Sequence, residues 1–296
     1  MPGLRHAILG VGGVGGLIGG SLARLGDSVT LVLRRKSLAS YPEKLKLESP
    51  FGNLETPVAR SAEVPPVDVL WIAVKATQLE ESLASVTNPD KIAAIVPLLN
   101  GVDHIAFLRK RYGADRVIAA TIAVESERLA PGHIVHRSPF AILSLSSAGR
   151  PLLGATLEQL HKLGFECRFV DDEATLMWTK LIFLAPFALA TTAFDQPIGG
   201  VMSNPDWKAE WESCVREACA VATAEGAKVD PNVVFTGMSR APSGMRSSMQ
   251  KDVERGNPPE LDAIAGPILR GGAHHGIAVP RTEKLAEVVK QRSKKQ

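Results

Sequence analysis

The sequence predicts an α/β chain built in two parts, a domain around a parallel sheet over residues 1–168 followed by an all-α domain over residues 169–296. Three observations lead there. Apolar runs of strand length at residues 67–74 and 92–99 are almost continuous, the mark of parallel strands covered on both faces. A shorter run at residues 6–9 leads through a glycine turn directly into helical spacing. Beyond Asp171 the strand signal largely stops and helical periodicity takes over, which sets the boundary near residues 167–172.

The first strand and helix carry the most specific signal. After the run at 6–9 come Gly10, Val11, Gly12, Gly13, Val14 and Gly15, then Leu17, Ile18, Leu22 and Leu25 at helical spacing, closed by Gly26. The spacing G-x-G-x-x-G has a physical reason at each glycine. Gly10 permits a tight turn, Gly12 lets the backbone approach a pyrophosphate, and Gly15 lets the helix pack closely on the strand. Gly13 and Val14 complete the loop that would cradle the phosphates. Framed by a strand and a helix, the motif predicts a Rossmann-type dinucleotide-binding domain; a glycine-rich turn that binds nothing is the bland alternative.

The second strand is expected at residues 29–33. An NAD-binding domain places Asp or Glu at its end to hold the ribose hydroxyls, whereas this chain has Arg34 and Arg35 with Lys36 behind them. Guanidinium groups suit a 2'-phosphate, so NADPH (NADP) is the cofactor expected, with either arginine as its contact. Residues 45–60 contain Pro50, Gly52 and Pro57 and read as a hairpin-like insertion. The run at 67–74 delivers Lys75 to the carboxyl edge of the sheet and the run at 92–99 delivers Asn100, and ligands bind at that edge. Further strands are expected at 116–124, 140–145 and 165–170, with a helix at 152–163. His133 and His136 stand three apart on an extended segment and face opposite ways, so they form no ligand pair and no metal is expected.

The helical domain opens on residues 178–194, WTKLIFLAPFALATTAF, with one charge, Lys180, and fourteen uncharged residues after it. Fourteen is short of the roughly 20 that cross a bilayer, so the stretch reads as a buried core helix with no membrane partner. Lys180, Leu184 and Ala188 share a helix face, which leaves the ammonium above an apolar stripe. Either it snorkels to water from a helix start, or burial lowers its pKa toward neutrality, as a general acid facing a carbonyl requires. Trp211, Val215, Ala218 and Ala222 mark another helix, ending at Gly226. Residues 232–246 read as a looser segment, and a helix starts at Glu260 after Pro258 and Pro259 and runs to about His274.

A content of 45% hydrophobic residues with 20 prolines and 26 glycines belongs to a globular chain. Its 34 basic and 31 acidic residues, net +3, are too balanced for a nucleic-acid footprint. The terminal KQRSKKQ is expected to be a frayed, solvated end. Cys167, Cys214 and Cys219 are odd in number, so they cannot all pair, and Cys214 and Cys219, five apart, match no common zinc spacing, which points to reduced thiols in a cytoplasmic protein. No signal peptide is apparent.

In order along the chain stand G-V-G-G-V-G at residues 10–15, V-K-A-T-Q at 74–78, L-N-G at 99–101, W-T-K-L at 178–181, S-S-M-Q-K-D-V at 247–253, P-E-L-D at 259–262 and H-G-I-A-V-P at 275–280. The series resembles the ketopantoate reductase family over nearly the whole chain. That resemblance implies NADPH-dependent reduction of a small 2-keto acid, 2-dehydropantoate, to pantoate on the route to pantothenate and coenzyme A. It implies Lys180 as general acid, with Glu260 binding the substrate hydroxyl near that lysine. It further implies that Asn100 positions nicotinamide and keto acid, that Ser248 helps hold the substrate carboxylate, and that Lys75 lies close to the cofactor. Glu260 would then be the partner that keeps Lys180 charged before transfer.

Three departures accompany the match: where the family usually has asparagines four, eight and eighteen residues after the lysine, this chain has Leu184, Ala188 and Ile198. A pocket lacking those amides suits a more apolar 2-keto acid, and an NADPH-binding sensor without turnover is the non-enzymatic alternative. Pro186 is expected to kink its helix, and the apolar helical domain suits a homodimer.

Overall fold

The apolar runs fold as parallel strands. In the computed structural model, which describes residues 3–294, the chain divides into two units, residues up to Leu99 with His104–Asp171, and Asn100–Asp103 with the chain from Asp172 onward. In chain order the first unit contains β1 (Arg5–Leu9), α1 (Gly13–Arg24), β2 (Ser28–Val32), α2 (Arg35–Leu38), β3 (Lys44–Glu48), β4 (Leu54–Pro57), β5 (Ala59–Ser61), β6 (Val67–Ile72), α3 (Leu79–Ser82) and β7 (Ile92–Pro97). It continues with α4 (His104–Tyr112), β8 (Ala120–Ala123), β9 (Ser126–Ala130), β10 (His133–His136), β11 (Ile142–Ser146), α5 (Arg150–Lys162) and β12 (Glu166–Val170).

The main sheet has the order β5-β2-β1-β6-β7 with every neighbouring pair parallel. Alternate residues serve opposite cores: Val69 and Trp71 of β6 join one cluster with Ile8 and Leu17, while Leu70 and Ile72 join another with Leu79 and Leu108. With both faces covered, the strand has little use for polar residues, which is why its sequence reads as almost continuously apolar, broken only by Asp68, which pairs with Arg5. The chain leaves β1 in one direction for β2 and returns to its other side at β6, so the loops after β1 and β6 meet at the switch point where open α/β sheets bind ligands.

Helix α1 is pressed between this sheet and a second one ordered β4-β3-β10-β9. A Cβ on Gly19 would meet Ile8 of β1, whereas Cβ atoms on Gly13, Gly16 and Gly20 would meet Ser126 of β9, Ile134 of β10 and Leu45 of β3. The insertion expected at 45–60 is thus only partly a hairpin. β3 and β4 pair antiparallel, but β5 extends the main sheet beside β2. A third sheet, β12-β11-β8, completes the unit. The strand expected at 116–124 is shorter, because a tight turn occupies Ala114–Arg116 and Val117 makes only a single bridge to Ile95.

His133 and His136 do point apart: His133 Nε2 lies 2.9 Å from Glu48 Oε1, while the buried His136 has Nδ1 2.9 Å from Ser49 Oγ. Among the described residues no cluster of three or more His, Cys, Asp and Glu is placed to hold a metal.

The second unit is helical: α6 (Glu173–Phe194), α7 (Ile198–Ser203), α8 (Pro205–Ala224), α9 (Pro231–Ser239), α10 (Ser248–Glu254), α11 (Leu261–His275) and α12 (Pro280–Ser293). Helix α6 starts where the Asp172 side chain accepts the Thr175 N–H at 3.1 Å and ends at Asp195 in the left-handed region, φ 55°. It remains helical through Pro186. With 22 residues it is long and apolar enough to cross a membrane, yet 67% of its most apolar window is buried, as befits a core helix. Two expectations fail here. Residues 232–246 are not wholly loose, since the Asp230 carboxylate caps α9 and Pro231 occupies its first position. The end of the chain is helical through Ser293, held by an Arg292–Asp195 pair at 2.7 Å; only Lys295 and Gln296 of the KQRSKKQ tail lie outside the described residues.

Candidate functional site

In the first unit the turn after β1 has the geometry of an anion cradle. Gly10 sits at φ +97°, and a Cβ there would stand 2.6 Å from the Val74 nitrogen, so only glycine fits. A Cβ on Gly15 would lie 2.1 Å from the Gly10 carbonyl oxygen, which explains the close seat of α1 on the turn. Gly12 is different: nothing lies within 4 Å of where its Cβ would stand, so its backbone faces open space. Gly12 caps α1, and the first helical hydrogen bond runs from Gly16 N–H to Gly12 O at 2.9 Å. The N–H groups of Gly13, Val14 and Gly15 therefore have no partner within the helix, and no acidic residue occupies the first turn. Unpaired donors at the positive end of a helix beside a bare glycine backbone suit a pyrophosphate.

Two braces of this loop escaped the sequence reading. Ser126 Oγ donates to Gly13 O at 3.0 Å and Arg128 Nη1 donates to Val11 O at 3.3 Å, both from β9. They lie 113 and 117 residues away in sequence, and no local pattern marks them. Lys75 leaves β6 just after Val74, the residue against which Gly10 packs, so it stands at the switch point and is partly buried. At the end of β2 the two arginines differ. Arg35 Nη2 donates to Glu63 Oε1 at 2.6 Å, whereas Arg34 is exposed in extended conformation just before α2.

In the second unit Asn100, Lys180 and Glu260 converge. The Asn100 amide Nδ2 donates to Glu260 Oε2 at 3.1 Å, across 160 residues of sequence. Gly101 makes this possible: at φ +86° its bare Cα lies on the first turn of α11, where a Cβ would stand 2.3 Å from the Ala263 carbonyl oxygen. Glu260, only 8% exposed, is the residue that leads into α11, and the positive end of that helix favours its carboxylate.

Lys180 lies in the third turn of α6 and is partly buried. Burial pushes its pKa down from 10.5 to about 8, and the nearby Glu260 charge pulls in the opposite direction. An ammonium with a pKa near 8 is still mostly charged at neutral pH and gives up its proton readily.

Ser248 is exposed at the first position of α10. Its neighbour Ser247 is buried; the Ser247 hydroxyl accepts the Gln250 N–H at 3.1 Å and shares a hydrogen bond with Thr191 Oγ1 at 2.9 Å, holding α10 on α6. Ala188 and Ile198 are sealed in the core of the unit, and Leu184 packs partly buried against it.

Comparison with known proteins accords with this geometry. The family profile described as ketopantoate reductase PanE/ApbA matches residues 6–146, and that of its C-terminal domain matches residues 173–293. A 2-dehydropantoate 2-reductase of Caulobacter vibrioides is 33% identical over 287 residues, covering 93% of this chain and 94% of that protein. The crystal structure of a PanE/ApbA family ketopantoate reductase from Ralstonia eutropha superposes with a TM-score of 0.85 at 26% identity over 99% of both chains. D-mandelate dehydrogenase, solved with NADH and anilino(oxo)acetate, shares the fold with a TM-score of 0.87 at 20% identity over 99% of both chains. With both halves matched by the family's profiles and a relative 33% identical over nearly the whole chain, the chain belongs to the ketopantoate reductase family of NAD(P)-dependent oxidoreductases.

Proposed function

We propose that this protein reduces 2-dehydropantoate to pantoate with NADPH, on the route to pantothenate and coenzyme A. The observation that carries the reading is Lys180, lowered to about 8 by burial and drawn back by the Glu260 carboxylate, which Asn100 holds by a hydrogen bond of 3.1 Å.

The dinucleotide is assigned to the loop at Gly10, Gly12, Gly13, Val14 and Gly15, with Lys75 beside it and Arg34 on the 2'-phosphate, because Arg35 is already engaged by Glu63. When bound, NADPH supplies the hydride. As negative charge develops on the substrate oxygen, Lys180 Nζ stabilises it and donates a proton, a contribution typically worth ~10²–10⁴ in rate. Glu260 keeps the lysine charged until then and accepts from the substrate hydroxyl. Asn100 orients both the keto group and the nicotinamide, and the Ser248 hydroxyl donates to the substrate carboxylate. Solvent then restores the lysine proton.

A second reading is favoured by one observation: Leu184, one helical turn beyond Lys180 and only partly buried against the core, is apolar where the family usually has an asparagine, whereas Ala188 and Ile198 are sealed inside that core. That composition fits a 2-keto acid with an apolar side chain better than a hydroxylated one. NADPH oxidation measured over a panel of 2-dehydropantoate and branched or aromatic 2-keto acids separates the two. Highest kcat/KM on 2-dehydropantoate supports the first reading, and highest kcat/KM on an apolar acid supports the second. Binding of NADPH without oxidation by any acid defeats both and leaves a nucleotide sensor.

A further inference from the structure

We propose that Arg270 is a positioning residue that clamps the Asn100 loop to the start of α11 and thereby sets the Asn100–Glu260 contact; the inference rests on the reductase reading above. Arg270 Nη2 donates to Asp103 Oδ2 at 2.5 Å, and Nη1 donates to Asp262 Oδ1 at 2.7 Å. Asp103 closes the four-residue segment that begins with Asn100, and Asp262 lies two residues after Glu260. One guanidinium thus joins the two segments that deliver the two hydrogen-bonded side chains.

Two details make the clamp a built feature. The Arg270 side chain reaches back along α11 over Gly266, where a Cβ would stand 2.5 Å from Nη2, so the bare glycine clears its path. Beside the loop lies an open pocket of about 190 Å³ lined by Val102, Asp103, Trp178, Pro267, Gly271 and Arg270 itself. Val102 and Asp103 therefore border open space on that side, and close packing does not hold them there.

Both ion pairs are solvent-exposed, with Arg270 at 53% and Asp103 at 54%, and such pairs add little to global stability. Their effect is on geometry, where a displacement of roughly 1 Å near the reacting groups costs up to ~10²-fold in rate. The test compares Arg270→Ala, Arg270→Lys and Gly266→Ala with the wild type by steady-state kinetics and by hydrogen exchange of the peptide spanning residues 100–104. Arg270→Ala is expected to fold normally, to exchange that peptide faster, and to lose roughly ten- to a hundredfold in kcat/KM for the keto acid while KM for NADPH stays within about twofold. Arg270→Lys should recover part of the loss. Gly266→Ala should lose activity while its melting temperature holds or rises, since alanine is the better helix former.

Wild-type exchange of the peptide in Arg270→Ala overturns the clamp, and so does faster exchange with kcat/KM unchanged. If the wild-type protein reduces no 2-keto acid, the reductase reading falls by itself, and the exchange experiment alone decides whether Arg270 holds the loop.

Discussion

Lys180 is the residue on which the proposed chemistry turns, and its environment dictates a pH profile. As a general acid it must be protonated, and with a pKa of about 8 its acid form is present below that pH and is lost above it. Keto-acid reduction should therefore be flat to about pH 7 and fall about tenfold per unit above pH 8, while the reverse oxidation, which needs the free amine, should rise through the same range. Pre-steady-state rates of both directions across pH 6–10 check this. A Lys180→Arg variant should be slower and should not show the fall near pH 8, since guanidinium stays charged throughout. The burial of Lys180 was legible from the apolar run that follows it. Its partner was suggested only by resemblance, because Glu260 is 80 residues away in sequence and nothing local to either residue requires the other.

At the scale of elements, the glycine loop separates two kinds of glycine, and substitution tells them apart. Gly10 is held at φ +97° against Val74, so Gly10→Ala should cost roughly 1–3 kcal/mol of stability as well as cofactor binding. Gly12→Ala meets no neighbouring atom and should melt like the wild type, yet bind NADPH at least about tenfold more weakly, because the methyl stands where the pyrophosphate approaches. Thermal melts paired with NADPH titrations of the two variants measure the difference. The roles of Gly10, Gly12 and Gly15 follow from spacing alone. Those of Gly13, Gly16 and Gly20 do not, since they bare α1 to β9, β10 and β3, strands that the chain adds later and whose pairing no short window reveals. For the same reason α9 looked loose: its Asp230 cap and Pro231 start are local signals, but Thr236, Gly237 and Ser239 blur its helical periodicity.

For the molecule as a whole, the choice between NADPH and NADH rests on the end of β2. Arg34→Ala should lower kcat/KM for NADPH at least about tenfold with little effect on NADH, because only NADPH carries the 2'-phosphate. Arg35→Ala should matter less, its guanidinium being paired with Glu63 at 2.6 Å. Kinetics of both variants with both nucleotides decide the assignment; equal losses with NADPH and NADH would remove either arginine from the phosphate site.

The sequence alone determined the α/β class, the glycine turn between β1 and α1, the parallel strands β6 and β7, and the apolar helix that carries Lys180, because each follows from periodicity or spacing within a few residues. Only the tertiary structure decided that Arg35 is tied to Glu63, that Ser247 rather than Ser248 caps α10, and that Asn100 meets Glu260 on a bare Gly101. Those are contacts between segments far apart in the chain, and their selection depends on which surfaces the packed helices and sheets bring within hydrogen-bonding distance.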